Sequence, residues 1–151
     1  MKQRDKVAMS TEEIATLLAE SRKVQLATIG RDGTPHLVTM YYVLIDGQIT
    51  FWTYRTSQKA LNLTADARLT CLVETGEQYF DLRGVQVQGV ARRIDDPAAV
   101  QEIGRLITGA VPGQDGAALD EYVARAARKR VGFAVEPRRV ISWDHSKLLP
   151  D

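Results

Sequence analysis

The sequence predicts a mainly β, α+β fold: six antiparallel strands curl into a closed or partly closed barrel with helices at its periphery. Three observations carry this. Six extended runs rich in β-branched and aromatic residues crowd into 151 residues. The first three runs are joined by tight turns containing Asp32-Gly33 and Asp46-Gly47, a pairing that favours short hairpins and so antiparallel neighbours. Helical periodicity is confined to the start, one short link and an insertion before the last strand.

Residues 1–9, MKQRDKVAM, are expected as a flexible N-terminus. Ser10-Thr11-Glu12-Glu13 then reads as a capping box, with Ser10 at the N-cap, and Ile14, Leu17 and Leu18 follow at helical spacing. This predicts a helix over 10–21. Strands are expected over 23–30 (KVQLATIG), 36–45 (HLVTMYYVLI) and 48–54 (QITFWTY), and a short helix over 57–65. A fourth strand covers 68–75, and a long fifth runs over 79–94, bent or bulged near Gly84 or Gly89. Asp96-Pro97 opens a helix over 97–110, since proline at the first helical position costs no hydrogen bond. After a break at Val111-Pro112-Gly113, a second helix covers 117–130, and residues 131–143 return as the sixth strand.

With 44% apolar and 26% charged residues, the chain reads as one globular domain over 1–151. A net charge of +1 implies neither general nucleic-acid affinity nor a polybasic membrane patch. No apolar run reaches the roughly 18–20 residues of a membrane span, and the polar start lacks the apolar core of a secretory signal. A single cysteine excludes an internal disulfide and suits a reducing compartment, so the expected localisation is cytoplasmic.

The chemistry-bearing residues concentrate in FWTYRTSQKALNL, 51–63. A strand ends there in hydroxyl residues and feeds directly into a helix, whose first N–H groups lack acceptors. Hydroxyls, backbone dipole and a fixed cation are what an anion such as phosphate requires. The alternative is an ordinary capped helix with solvated Arg55 and Lys59. Elsewhere the signals are weak. His36 and His145 have no partners at metal-ligand spacing. Cys71 lies in an apolar strand, and Asp144-His145-Ser146 are consecutive and so cannot form a catalytic triad.

The runs KVQLATIGRDGTPHLVTMYYVLIDGQITFWTYRTSQKALNL, VQVQGVARRIDDPAAV and VISWDHSKL together resemble the pyridoxamine-5'-phosphate-oxidase-like split-barrel superfamily. Within it, the sequence is most similar to actinobacterial flavin/deazaflavin oxidoreductases. The resemblance implies a six-stranded antiparallel split β-barrel with peripheral helices, assembled as a homodimer. It also implies a cofactor, coenzyme F420 with FMN as the alternative, whose phosphate falls to Thr53, Arg55, Ser57, Lys59 and Asn62. The ring would lie along Val38, Thr39 and Met40, with Gln86, Gln88 and Trp143 reaching across from a second subunit. Where the vitamin B6 oxidases read Ser-Arg-Lys, this chain reads Ser57-Gln58-Lys59, which lowers the case for that activity. The implied function is F420-dependent hydride transfer to a small unsaturated organic acceptor at the dimer interface. FMN-dependent chemistry or non-catalytic cofactor or haem binding are the alternatives. No protein residue is expected to act as catalyst, because the cofactor carries the hydride.

Overall fold

The computed structural model describes residues 1–110, 113 and 116–150. Two helices, α1 (Gln3–Val7) and α2 (Thr11–Glu20), lead into strands β1 (Lys23–Ile29), β2 (Pro35–Tyr41), β3 (Val43–Ile45) and β4 (Gln48–Tyr54). Helix α3 (Gln58–Ala65) follows, then β5 (Arg68–Thr75) and β6 (Arg83–Ile94). The helices α4 (Pro97–Gly109) and α5 (Ala117–Ala127) precede the last strand, β7 (Arg130–Asp144). The expected break at Val111-Pro112 lies outside the described residues.

The strands form one antiparallel sheet in the order β2-β1-β5-β6-β7-β4-β3. Its two outermost strands, β2 and β3, are consecutive pieces of one chain run. This corrects the expected single strand over 36–45 and raises the count from six strands to seven. The cause is Tyr42. Before it the chain pairs with β1; after it, with β4. At the switch the Tyr42 N–H donates to the Arg22 carbonyl at 2.9 Å, outside either ladder. The ring is buried in the core, and its hydroxyl donates to the Leu18 carbonyl at 2.6 Å, next to the end of α2. Burial pushes the Tyr42 phenol up to about 12, so it remains a neutral donor. Because both ends of the sheet belong to one run, the sheet must curl.

Local chemistry agrees with these elements. Ser10 and Glu13 complete both halves of the capping box on α2. Asp46 and Gly47 both take positive φ, 52° and 74°, as the tight β3–β4 hairpin requires. Residues 1–9, expected as flexible, include α1 and bury Val7 and Met9; the Met9 N–H donates to Ser142 Oγ at 3.0 Å.

The curled sheet fills its own interior. Phe51 and Phe133 stack at 5.6 Å, surrounded by Leu26, Cys71, Val85 and Val131, all with no measurable exposure. Outside, α4 and α5 pack against β4 and β7. Gly104 of α4 makes this approach possible, because a Cβ there would lie 2.3 Å from the Trp52 ring. Among the described residues no helix packs on the outer side of β2 and β1. Leu37 and Tyr41 stand there 66% and 57% exposed, enough apolar surface to raise the question of what covers it.

If Tyr42 is the closure point, removing only its hydroxyl should cost about 0.5–1.5 kcal/mol, the worth of one hydrogen bond. Tyr42→Ala should cost about 3–5 kcal/mol, because a cavity is added. Urea denaturation measures both; a Tyr42→Phe variant as stable as wild type would show that the hydroxyl latch is dispensable.

Candidate functional site

Strand β4 ends at Tyr54, and within four residues the chain has turned into α3. Ser57 is the N-cap of α3, its Oγ accepting from the Ala60 N–H at 3.2 Å. The same Oγ accepts from the hydroxyl of buried Thr53 at 3.0 Å. Thr53 Oγ1 in turn accepts from Lys59 Nζ at 3.2 Å. The three side chains thus form a chain of donors running Lys59 to Thr53 to Ser57. Ser57 Oγ already accepts twice, which leaves its own proton for a further acceptor. Two N–H bonds of the Lys59 ammonium remain, and the first-turn N–H groups of Gln58 and Lys59 have no intrahelical acceptor.

No carboxylate pairs with Lys59 among the described residues. Lys59 is half-buried, and that desolvation holds its amine below the usual lysine range. Several donors therefore meet around a partly desolvated cation with nothing negative to receive them. Such a set fits a phosphate: the Ser57 hydroxyl, one ammonium and a helix N-terminus, with Thr53 holding the hydroxyl and the ammonium in place.

The remaining candidates from the opening cluster are placed differently. Arg55 is not directed at this donor set. Its guanidinium donates to the carbonyls of Arg130 at 3.2 Å and Arg128 at 2.5 Å, and its backbone N–H to the Lys129 carbonyl at 3.0 Å. It caps the exit from α5, where carbonyls lack partners. Asn62 is buried and engaged on both sides: Nδ2 donates to Thr28 Oγ1 at 3.0 Å, and Oδ1 accepts from Gln58 Nε2 at 2.7 Å. It fastens α3 to β1.

Val38 and Met40 turn inward and pack on the core, so neither side chain faces outward. Thr39, between them, is exposed. Strand β2 is an edge of the sheet, which leaves half of its backbone groups unpaired. Gln86 and Gln88 lie on β6, opposite Ile141 and Arg139 of β7. Trp143 faces Gly84, whose missing side chain makes room for the indole; a Cβ there would lie 2.3 Å from the ring. Within one chain, then, the structure brings Thr53, Ser57 and Lys59 together and leaves the other candidates apart.

Sequence reasoning considered His36 only as a metal ligand. In the structure it lines a cavity of about 680 Å³ between the β1–β2 turn and α3, together with Arg31, Thr34, Gln58 and Asn62. His36 Nδ1 is buried there without a hydrogen-bond partner. Nothing in the spacing of His36 from Gln58 signals this meeting, which depends on how α3 docks. Two weaker signals are resolved by geometry. Cys71 is fully buried and its thiol is pushed up to about 12 by burial. Asp144 accepts from the N–H and hydroxyl of Ser146, while His145 Nδ1 contacts the Tyr79 carbonyl at 2.8 Å, so no triad forms.

Comparison with known proteins agrees with this architecture. No curated protein matches the chain. A conserved hypothetical protein of Mycobacterium tuberculosis shares 43% identity and superposes with a TM-score of 0.90, over 100% of this chain and 95% of that one. An F420 reductase superposes with a TM-score of 0.61 at 21% identity, over 83% of this chain and 93% of that one. A haem storage protein of Vibrio cholerae reaches 0.70 at 14% identity, over 90% and 97%. The last two show a shared fold alone. The family model described as pyridoxamine 5'-phosphate oxidase matches residues 10–144, nearly the whole chain. The chain belongs to that family.

Proposed function

We propose that this protein is an oxidoreductase that holds the phosphate of coenzyme F420 at Thr53, Ser57 and Lys59 and acts as a homodimer on a small unsaturated organic acceptor. The observation that carries the reading is the converging set of donors around a partly desolvated lysine that has no carboxylate partner among the described residues. When bound, such a cofactor supplies hydride transfer at its ring. The residues of this chain bind, orient and shield. Lys59 supplies the charge, Ser57 and the first turn of α3 supply neutral donors, and the open edge of β2 at 38–40 offers backbone groups to the ring. Arg55 and Asn62 support the site by fixing α5 and α3 rather than by touching the phosphate.

The choice of F420 over FMN is supported by what lies beyond the cradle. FMN ends at its phosphate, whereas F420 continues into an acidic tail. The cavity that Arg31, His36 and Gln58 line leaves room for that tail. The homodimer is supported by the outer face of the sheet, where Leu37 and Tyr41 are 66% and 57% exposed. A second copy over this face would bring the partner's β6 toward the ring site, which is how Gln86, Gln88 and Trp143 would contribute.

Fluorescence titration of the purified protein with F420 and with FMN tests the reading. F420 should bind tightly; FMN binding without F420 binding would overturn the cofactor choice, and binding of neither would overturn the enzyme assignment. Ser57→Ala and Lys59→Ala should each weaken cofactor binding about ten- to hundred-fold, the worth of one charge-assisted contact; Lys59→Ala should cost little stability, and Ser57→Ala about 0.5–2 kcal/mol through loss of the α3 cap. Arg55→Ala should do the reverse, leaving affinity intact and costing about 1 kcal/mol of folding stability in urea titrations.

Affinity should also depend on pH. Lys59 binds the anion only when protonated, and burial lowers the pH at which it loses its proton. Affinity should therefore fall on the alkaline side at a lower pH than an ordinary lysine would allow. Lys59→Arg should move that fall upward, because guanidinium keeps its proton. An unchanged profile would show that Lys59 does not face the bound anion.

A further inference from the structure

The ladder between β6 and β7 contains one irregularity. Gln88 faces Arg139, and the next residue, Gly89, faces Pro137. Arg138 therefore has no partner and is the extra residue of a β-bulge. The sequence explains why the bulge sits there. Pro137 cannot donate to a ladder. Gly89 opposite it must lack a side chain, because a Cβ would lie 2.3 Å from the Glu136 carbonyl oxygen. A bulge bends its strand and re-aims the extra side chain.

Arg138 lines a groove of about 520 Å³ on the outer face of the sheet. Ala27, Ile29, Pro35 and Val90 give that groove apolar walls, and Gln88 stands beside Arg138. No carboxylate lines it among the described residues. Its other arginine, Arg68, is held by Asp66 at 2.7 Å, with further bonds from its Nε to both carboxylate oxygens. Arg68 is thereby neutralised. Arg138 is not: its only acidic neighbour among the described residues, Glu136, is 3.8 Å away and shared with Arg92 at 3.6 Å. The groove thus combines apolar walls with one under-compensated guanidinium and an amide donor at the same end. An apolar body with a single carboxylate matches both halves, since guanidinium takes a carboxylate in bidentate fashion.

We propose that this groove binds a small, largely apolar carboxylic acid, with Arg138 and Gln88 receiving the carboxylate. The inference rests on the oxidoreductase reading only in making that acid the acceptor; the binding itself does not depend on it. The groove lies on the face that a second copy is proposed to cover, so the acid would be enclosed between copies.

Calorimetric titration of the cofactor-free protein with cinnamate and with cinnamamide, its uncharged analogue, tests this. Cinnamate should bind at least ten-fold more tightly than the amide. Arg138→Gln should abolish that difference, Arg138→Lys should keep part of it, and Ser57→Ala should leave it unchanged. Arg138 is exposed and outside the core, and a thermal melt by circular dichroism checks that the variants fold. Equal affinity for acid and amide, binding of neither, or a normal preference in a folded Arg138→Gln would overturn the proposal. Loss of F420 binding in Ser57→Ala bears on the cofactor reading alone, so the two can fail separately.

Discussion

The fold depends on a single change of partner at Tyr42. One extended run supplies both outermost strands of the sheet, and the run can serve both only if it leaves the β1 ladder and joins the β4 ladder within one residue. The backbone N–H freed there is received by Arg22, and the phenol is anchored next to the end of α2. A buried amide or hydroxyl without a partner would cost about 1–3 kcal/mol, so these two bonds are what make the switch tolerable. Once the sheet is curled, the end of β4 and the β1–β2 turn are brought to the same side of the molecule, and α3 lies between them.

The candidate site follows from that placement. Helix α3 is tied to β1 through Thr28 and Asn62 and to β4 through Thr53 and Ser57. Held at both points, its N-terminus carries donors that no carboxylate among the described residues receives. The energetics favour a ligand there. Desolvation of Lys59 disfavours its charged form, and an incoming anion reverses that penalty. A lysine with a protein carboxylate beside it would lack this incentive, as Arg68 beside Asp66 shows on the same molecule.

Much of this was legible in the sequence. The capping box at Ser10 and Glu13, the Asp46-Gly47 hairpin and the bulge near Gly89 all rest on local chemistry that neighbouring residues determine. What the sequence concealed depends on contacts between distant segments. Hydropathy does not change at Tyr42, so one strand was expected where two occur. Arg55 sits four residues from Lys59, yet its guanidinium is claimed by carbonyls more than seventy positions away. Arg138 looks like any surface arginine until the ladder shows it unpaired. Of the segment that joins α4 to α5, Val111, Pro112, Gln114 and Asp115 lie outside the described residues.

The central claim is that an anion of the cofactor rests on Thr53, Ser57 and Lys59. A crystal structure of the protein grown with F420 tests it most directly. The account predicts a phosphate within hydrogen-bonding distance of Ser57 Oγ and Lys59 Nζ, with Arg55 still on the carbonyls of Arg128 and Arg130. A phosphate bound elsewhere on the barrel, with the Lys59–Thr53–Ser57 chain untouched, would contradict it.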